Sequence, residues 1–256
     1  MMVSHDPMAI ERTSALAWPT LEQLEISGWT LRFSHGYTKR SNSAWLLRET
    51  SDAHRAIADI ESAYLSRGLN PIFKVTGLLA PEIDATLAER GYRLVDTTLV
   101  MTLPLNGSHP ATAAPACDLH IAGNAHVQAW FEHWKACAGS PSGNGSHLAL
   151  LRRTPQGTLF GCVRKDRQPG SCGLGVPSNG FPDPCGLFGI YDVATRPDLR
   201  RRGLGTALVT GLLEQAVHLG AHTAYLQVVE TNIPARSLYS GLGFAEAYRY
   251  WYRVRT

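Results

Sequence analysis

A mixed α/β fold is predicted for this chain from three observations. Residues 190–206, IYDVATRPDLRRRGLGT, run from a β-branched and aromatic stretch through a proline turn and three arginines to Gly-Leu-Gly. Beyond them Leu204, Leu208, Leu212, Ala216 and Leu219 recur at spacings of four and three, a helical stripe that stops at Gly220. Finally, the order helix, strand, helix, strand occurs twice, and LAERGY at 87–92 parallels YSGLGF at 239–244, which reads as an internal repeat.

Composition bounds the rest. The 256 residues suffice for one large or two small domains, and 44% hydrophobic with 18% charged residues is ordinary globular usage. No apolar run approaches the roughly 20 residues of a membrane span, and the first 20 residues carry acids and a proline where a leader would be apolar. A cytoplasmic protein without a membrane partner is expected. Net charge is +3, with the arginines densest in the glycine loop and no basic stripe interleaved with aromatics, so no nucleic-acid partner is expected. The five cysteines, at 117, 137, 162, 172 and 185, contain no C-x-x-C pair and read as free thiols. His133 and Cys137 share a helical spacing but lack further ligands, so no metal site is expected.

Taken in order, residues 10–18 predict a helix stopped by Pro19, and 21–26 a second short apolar segment. WTLRFS at 29–34 alternates as a half-buried strand, with SAWLL at 43–47 as its partner across the polar HGYTKRSN. Residues 51–68 predict a helix capped at Ser51 or Asp52 and ended by Gly68; PIFKVT is a strand, PEIDATLAERG a helix with proline in its first turn, and YRLVDTTLVMTL a long strand. PLNGSHPATAAPAC at 104–117 lacks periodicity and is read as a linker between residues 1–103 and 118–256. Then follow a short strand, DLHIA, and a helix with Trp130 and Trp134 one turn apart, either core residues or an aromatic wall. GTLFGCVRKD and SCGLGV flank RQPG as a hairpin, and PSNGFPDPC is a loop, read as a lip over a site or as plain surface.

At the glycine loop the chemistry sharpens. A helix start leaves backbone N–H groups unpaired, with about half a positive charge, and so attracts anions. Gly203 and Gly205 let a phosphate approach those N–H groups, Arg200, Arg201 and Arg202 add cations, and Thr206 adds a hydroxyl. A Walker loop would need a lysine that is not there, and a dinucleotide fingerprint a third glycine where Leu208 stands. Arg200-x-x-Gly203-x-Gly205 instead resembles the acetyl-coenzyme A loop of the GCN5-related N-acetyltransferase (GNAT) superfamily, and Asn232, Ala235, Tyr239 and Gly243-Phe244 match the spacing of that superfamily's closing segment. The resemblance is strong over 118–256 and faint before it.

The resemblance implies a tandem GNAT-like fold, with a complete C-terminal domain and a degenerate N-terminal one that lacks the loop. It implies acetyl-coenzyme A as cosubstrate and direct acetyl transfer to a primary amine of a small molecule or amino acid. A non-catalytic acyl-coenzyme A sensor and a protein N-acetyltransferase are the alternatives. By the same match, Arg200, Arg201, Arg202, Gly203, Leu204, Gly205 and Thr206 hold the pyrophosphate, and the backbone of Val193, Ala194 and Thr195 pairs with the pantetheine arm. Arg200 also has a reading as a residue that shapes the turn. Asn232 contacts the pantetheine or caps its helix, and Tyr239 faces the sulfur as general acid or packs in the core. At the positions where relatives often place a base stand Gly189, Tyr191 and Gln227. Asp192, which a regular strand turns away unless a bulge intervenes, and Glu230 are the candidates that remain. One acetyl-coenzyme A per chain and a monomer, with a dimer as alternative, are expected.

Overall fold

The computed structural model describes residues 6–48, 55–77, 81–105, 118–139, 145–178 and 186–255. Of the linker expected at 104–117 only the first two positions are described, and they continue the sheet instead of leaving it: Pro104 ends a strand opposite Thr223, and Leu105 N donates to His222 O. The helix cap expected at Ser51 or Asp52, most of the proline-rich loop, Cys117 and Cys185 lie outside the described residues.

The first half gives α1 (Pro7–Ala17), β1 (Glu22–Ile26), β2 (Trp29–Phe33), β3 (Ala44–Leu46), α2 (Ala56–Leu65), β4 (Ile72–Thr76), α3 (Pro81–Glu89) and β5 (Arg93–Pro104). The second gives β6 (Asp118–Ala122), α4 (Val127–Ala138), α5 (Ser146–Leu151), β7 (Leu159–Lys165), β8 (Gln168–Pro177), β9 (Leu187–Thr195), α6 (Leu204–His218), β10 (Thr223–Val229), α7 (Ile233–Gly241) and β11 (Ala245–Val254). Asp6 caps α1, its carboxylate accepting from Met8 N, and Pro7 occupies the first turn, where its missing N–H costs nothing. The apolar stripe of α6 is buried, from Leu204 through Leu208 and Leu212 to Ala216.

The strands of the described residues form one sheet in the order β1-β2-β3-β4-β11-β5-β10-β9-β8-β7-β6. The order exchanges closing strands between the halves. β5 pairs antiparallel with both β10 and β11, and β11 reaches across to β4. The two parallel pairings, β3 with β4 and β9 with β10, sit at corresponding places of the repeated order.

Helices cover both faces. Beneath α6 and α7, Leu208, Leu212 and Tyr239 pack with Phe188, Ile190 and Leu226; on the opposite face, α1 and α4 bring Ile10, Trp18, Trp130 and Trp134 against Leu174, Tyr191 and Tyr225. A third cluster around Trp29, Phe73, Ile57 and Leu87 fills the N-terminal half. Each such side chain contributes about 1.5–3 kcal/mol relative to exposure.

The hairpin differs in its turn. Lys165 faces Gln168, so Asp166 and Arg167, with φ of 51° and 63°, are the central residues, and Pro169 belongs to β8 opposite Arg164 beside a bulge. Two left-handed residues match the twist of the strands, which overrides the proline-glycine signal.

Candidate functional site

The site grows from the point where two parallel strands part. β9 and β10 pair from Leu187↔Thr223 to Ile190↔Leu226, and no further. β10 stays on β5, ending at Val229↔Thr98 with Glu230 N donating to Thr97 O at 2.8 Å. β9 stays on β8 as far as Thr195↔Ser171. Residues 191–195 therefore present one strand edge with no strand partner among the described residues, suited to an extended ligand arm added like another strand.

Two clefts flank this opening. The larger, about 920 Å³, is lined by Asp192, Val193, Ala194 and Thr195, by Arg200, Arg201 and residues 203–206, and by Asn232, Ala235, Leu238 and Tyr239. The other, about 510 Å³, lies towards the N-terminal half, which supplies Trp18, Tyr37, Thr38, Lys39, Arg40, Asp96 and Thr98, while β9, β10 and β11 supply Tyr191, Gln227, Tyr250 and Tyr252. Asp192, Val193, Asn232, Ala235 and Tyr239 line both.

The first cleft is built for an anion. The start of α6 has no side-chain cap; its N-cap, Gly203, has φ 79°, and Arg201, two residues before it, is also left-handed at 57°. The first intrahelical bond is Ala207 N to Gly203 O, so the N–H groups of Leu204, Gly205 and Thr206 have no acceptor within the helix. A Cβ on Gly205 would stand 3.0 Å from Leu238 Cδ1 and 3.4 Å from Thr195 Oγ1, so a larger residue there would press on α7. These are the features a pyrophosphate needs. Arg200 lines the cleft and also donates from Nε to Thr195 O at 3.3 Å, tightening the turn. Arg202 is exposed and lines neither cleft.

Asp192 sits in a bulge. Between Cys172↔Ala194 and Leu174↔Tyr191 the β8–β9 register shifts, and Asp192 takes φ 55°. This turns its carboxylate to both clefts and to His147 of α5, whose Nε2 lies 2.7 Å from Asp192 Oδ2. The imidazole is buried against the ring of Trp134, centroids 4.1 Å apart, and stacks on Tyr37 at 5.2 Å; its Nδ1 has no hydrogen-bond partner among the described residues. Sequence reasoning misses His147, since no spacing links it to Asp192.

Tyr239 is buried edge-on to Phe244, and burial pushes its phenol up to about 12, so the proton stays on. Asn232 caps α7, its Oδ1 accepting from Ala235 N at 3.3 Å, and also lines both clefts. Glu230 is not brought to the opening: its carboxylate pairs with Arg249 at 2.6 Å, half exposed, and lines neither cleft. Of the two tryptophans of α4, Trp130 packs in the core and donates to Gly161 O, whereas Trp134 also borders the larger cleft. Cys137, Cys162 and Cys172 are free, Cys162 facing Cys172 across the hairpin, and burial pushes the Cys162 thiol up to about 12. Among the described residues no group of three His, Cys, Asp or Glu is placed to hold a metal ion, and no helix is long and apolar enough to cross a membrane.

Comparison with known proteins bears on the family and the fold. Residues 6–253 match the family model described as "Probable histone acetyltransferase Rv0428c C-terminal". An uncharacterized N-acetyltransferase, YobR, of Bacillus subtilis is 26% identical over 251 residues, covering 98% of this chain and 99% of that protein. A [ribosomal protein bS18]-alanine N-acetyltransferase of Escherichia coli is 40% identical, over 58 residues that span 39% of its length. In fold, a GCN5-related N-acetyltransferase from Kribbella flavida superposes with a TM-score of 0.72 at 15% identity, covering 96% of this chain and 94% of that one. A tandem GNAT protein from the clavulanic acid biosynthesis pathway superposes at 0.63 and 15% identity, covering 83% and 74%.

Proposed function

The chain belongs to the family described as probable histone acetyltransferase Rv0428c C-terminal, of the GNAT acetyltransferases, and on that premise we propose that it transfers the acetyl group of acetyl-coenzyme A to a primary amine of a small molecule. The observation that carries this reading is the meeting of two clefts, one suited to a pyrophosphate and one walled by the N-terminal half, at Asp192 and Tyr239.

When bound, acetyl-coenzyme A supplies a thioester whose carbonyl carbon an amine attacks directly. The N–H groups of residues 204–206, with Arg200 and Arg201 beside them, hold the pyrophosphate, and the open edge of Val193, Ala194 and Thr195 aligns the pantetheine arm. Asp192 takes the proton lost by the amine, and His147, buried behind it, orients the carboxylate through the 2.7 Å contact. Tyr239, protonated across the physiological range, donates to the departing sulfur as the C–S bond breaks. Catalysis then rests on positioning two ligands and on two proton transfers.

Names of relatives point to protein acceptors for those enzymes. Here Trp18, Tyr37 and Arg40 wall the second cleft from the N-terminal side, which favours a small acceptor. We further propose that the N-terminal half is a degenerate copy of the C-terminal one, and that the enzyme works as a cytoplasmic monomer. Coenzyme A thiol release on addition of an amine panel, with mass spectrometry of the product, tests the transferase reading; calorimetry should give one acetyl-coenzyme A per chain. Cofactor binding without turnover of any amine would replace it with the sensor reading.

A further inference from the structure

The second cleft contains more hydrogen-bond donors than its own residues satisfy. Arg40 stands on a short turn, Lys39–Ser41, fixed from several directions. Thr38 Oγ1 accepts from Ser41 N at 3.3 Å, Ser41 Oγ accepts from Trp18 Nε1 at 2.9 Å, and Asn42 Oδ1 accepts from Ser34 N and Gly36 N at 2.6 and 2.9 Å. The half-buried guanidinium lies 5.9 Å from the ring centroids of Trp18 and Tyr191 and is hydrogen-bonded to Tyr250. Among the described residues its buried Nε has no hydrogen-bond partner and the guanidinium forms no ion pair.

Of the other charged groups of the cleft, Lys39 pairs with Asp96 at 2.7 Å, and Asp192 is in contact with His147 Nε2 at 2.7 Å. A second orphan lies close to Arg40. Tyr250 OH donates to Gln227 Oε1 at 3.1 Å, which leaves Gln227 Nε2 buried without an acceptor. One cation without an ion pair and two donors without partners among the described residues, linked by the Tyr250 hydroxyl, thus belong to Arg40 and Gln227, which line the same cleft as Asp192. Buried donors left without partners cost free energy that a ligand recovers by supplying acceptor oxygens. A carboxylate matches both the charge and the fork of an arginine.

We propose that the acceptor is an amine that also carries a carboxylate, of the amino-acid class, with its carboxylate held by Arg40 and Gln227 while its amino group is presented to Asp192. This rests on the transferase reading and narrows its substrate. Arg40 is thereby a specificity-determining residue, and the N-terminal half supplies the group that selects the substrate.

The test pairs each common α-amino acid with its decarboxylated amine, in the full-length wild type and in Arg40→Met and Arg40→Lys. In wild type, kcat/KM for at least one amino acid should exceed that of its decarboxylated partner. Arg40→Met should lower it about a hundredfold, mainly through KM, a loss far greater than for the decarboxylated amine, with acetyl-coenzyme A affinity kept; Arg40→Lys should restore part of the loss. A merely structural arginine would instead slow both members of each pair alike. Calorimetry of the same amino acids against protein saturated with coenzyme A gives a readout without turnover, and there too Arg40→Met should weaken binding about a hundredfold. Equal use of both members of every pair, equal loss in Arg40→Met, or failure of every amino acid to bind or react overturns the proposal. Turnover of plain amines alone would overturn it and leave acetyl transfer standing.

Discussion

The two parallel junctions of the sheet make a controlled comparison. At the first, β3 and β4 pair through Ala44↔Phe73 and Trp45↔Lys74, and the space beside them is closed to about 10 Å³. Lys74 fills it, 3.7 Å from the Trp45 ring and 4.0 Å from that of Tyr250, and is neutralised at 2.6 Å by Glu11 of α1, which also accepts from Tyr248 OH. At the second junction β9 and β10 separate after four residue pairs, and clefts of about 920 and 510 Å³ open where Asp192 bulges. The same crossing of strand and helix opens into clefts where the strands part in front of an uncapped helix start. Where a side chain and its counter-ion close the space, it becomes core.

The comparison can be broken at four places, in descending order of effect. Lys74→Met leaves the Glu11 carboxylate buried and unpaired, which should destabilise the fold by about 3–5 kcal/mol, and Glu11→Gln with Lys74→Met should recover much of it. Denaturant titration reads this, and unchanged stability in the single variant would mean that the junction tolerates opening. Gly203→Glu puts bulk and negative charge into the anion cradle and should weaken acetyl-coenzyme A binding about a hundredfold with the circular dichroism spectrum kept. Undiminished affinity by calorimetry would remove the loop from the site. Tyr239→Phe should leave cofactor affinity intact and lower kcat about tenfold or more; full activity would return Tyr239 to a packing role.

The smallest effect concerns acid. Arg253 hydrogen-bonds Asp84 through two contacts at 2.7 and 2.8 Å and, with Trp251, holds that carboxyl below its usual range despite its partial burial. A lowered folded-state value means that the unfolded chain takes up the proton first, so this contribution is full above the ordinary carboxylate range and fades as pH falls through it. Asp84→Asn should remove about 1 kcal/mol at neutral pH and flatten the acid limb; an identical pH dependence of Tm would discard the link.

Much of the cofactor half is legible in the sequence because its chemistry is local. The glycine loop, the stripe of α6 and the cap at Asn232 are each set by residues within a few positions of one another. The structure has the uncapped helix start, the cap and the stripe as far as Ala216, while Leu219, expected in the stripe, lies past the helix end and is exposed. Tyr239 is legible by its spacing from Asn232. What escapes needs distant partners. His147 is 45 residues from Asp192, in a helix too short to show a period, and Arg40 sits in a segment that reads only as polar turn. The bulge at Asp192 enters a sequence argument only as a condition, because it depends on register with β8. Strand existence follows from alternation; strand partnership does not, and the exchange of β5 and β11 carries no local signature.

That exchange constrains how the protein is made. A ribosome releases the chain from its N-terminus, so β4 and β5 emerge long before β11, whose Val254 pairs with Ile72 and Arg93. The earlier half must wait, with the slot between β4 and β5 open, until the last strand of the later half arrives. The chain therefore completes both halves in one late event, and an mRNA truncated before that strand encodes a protein in which neither half is finished.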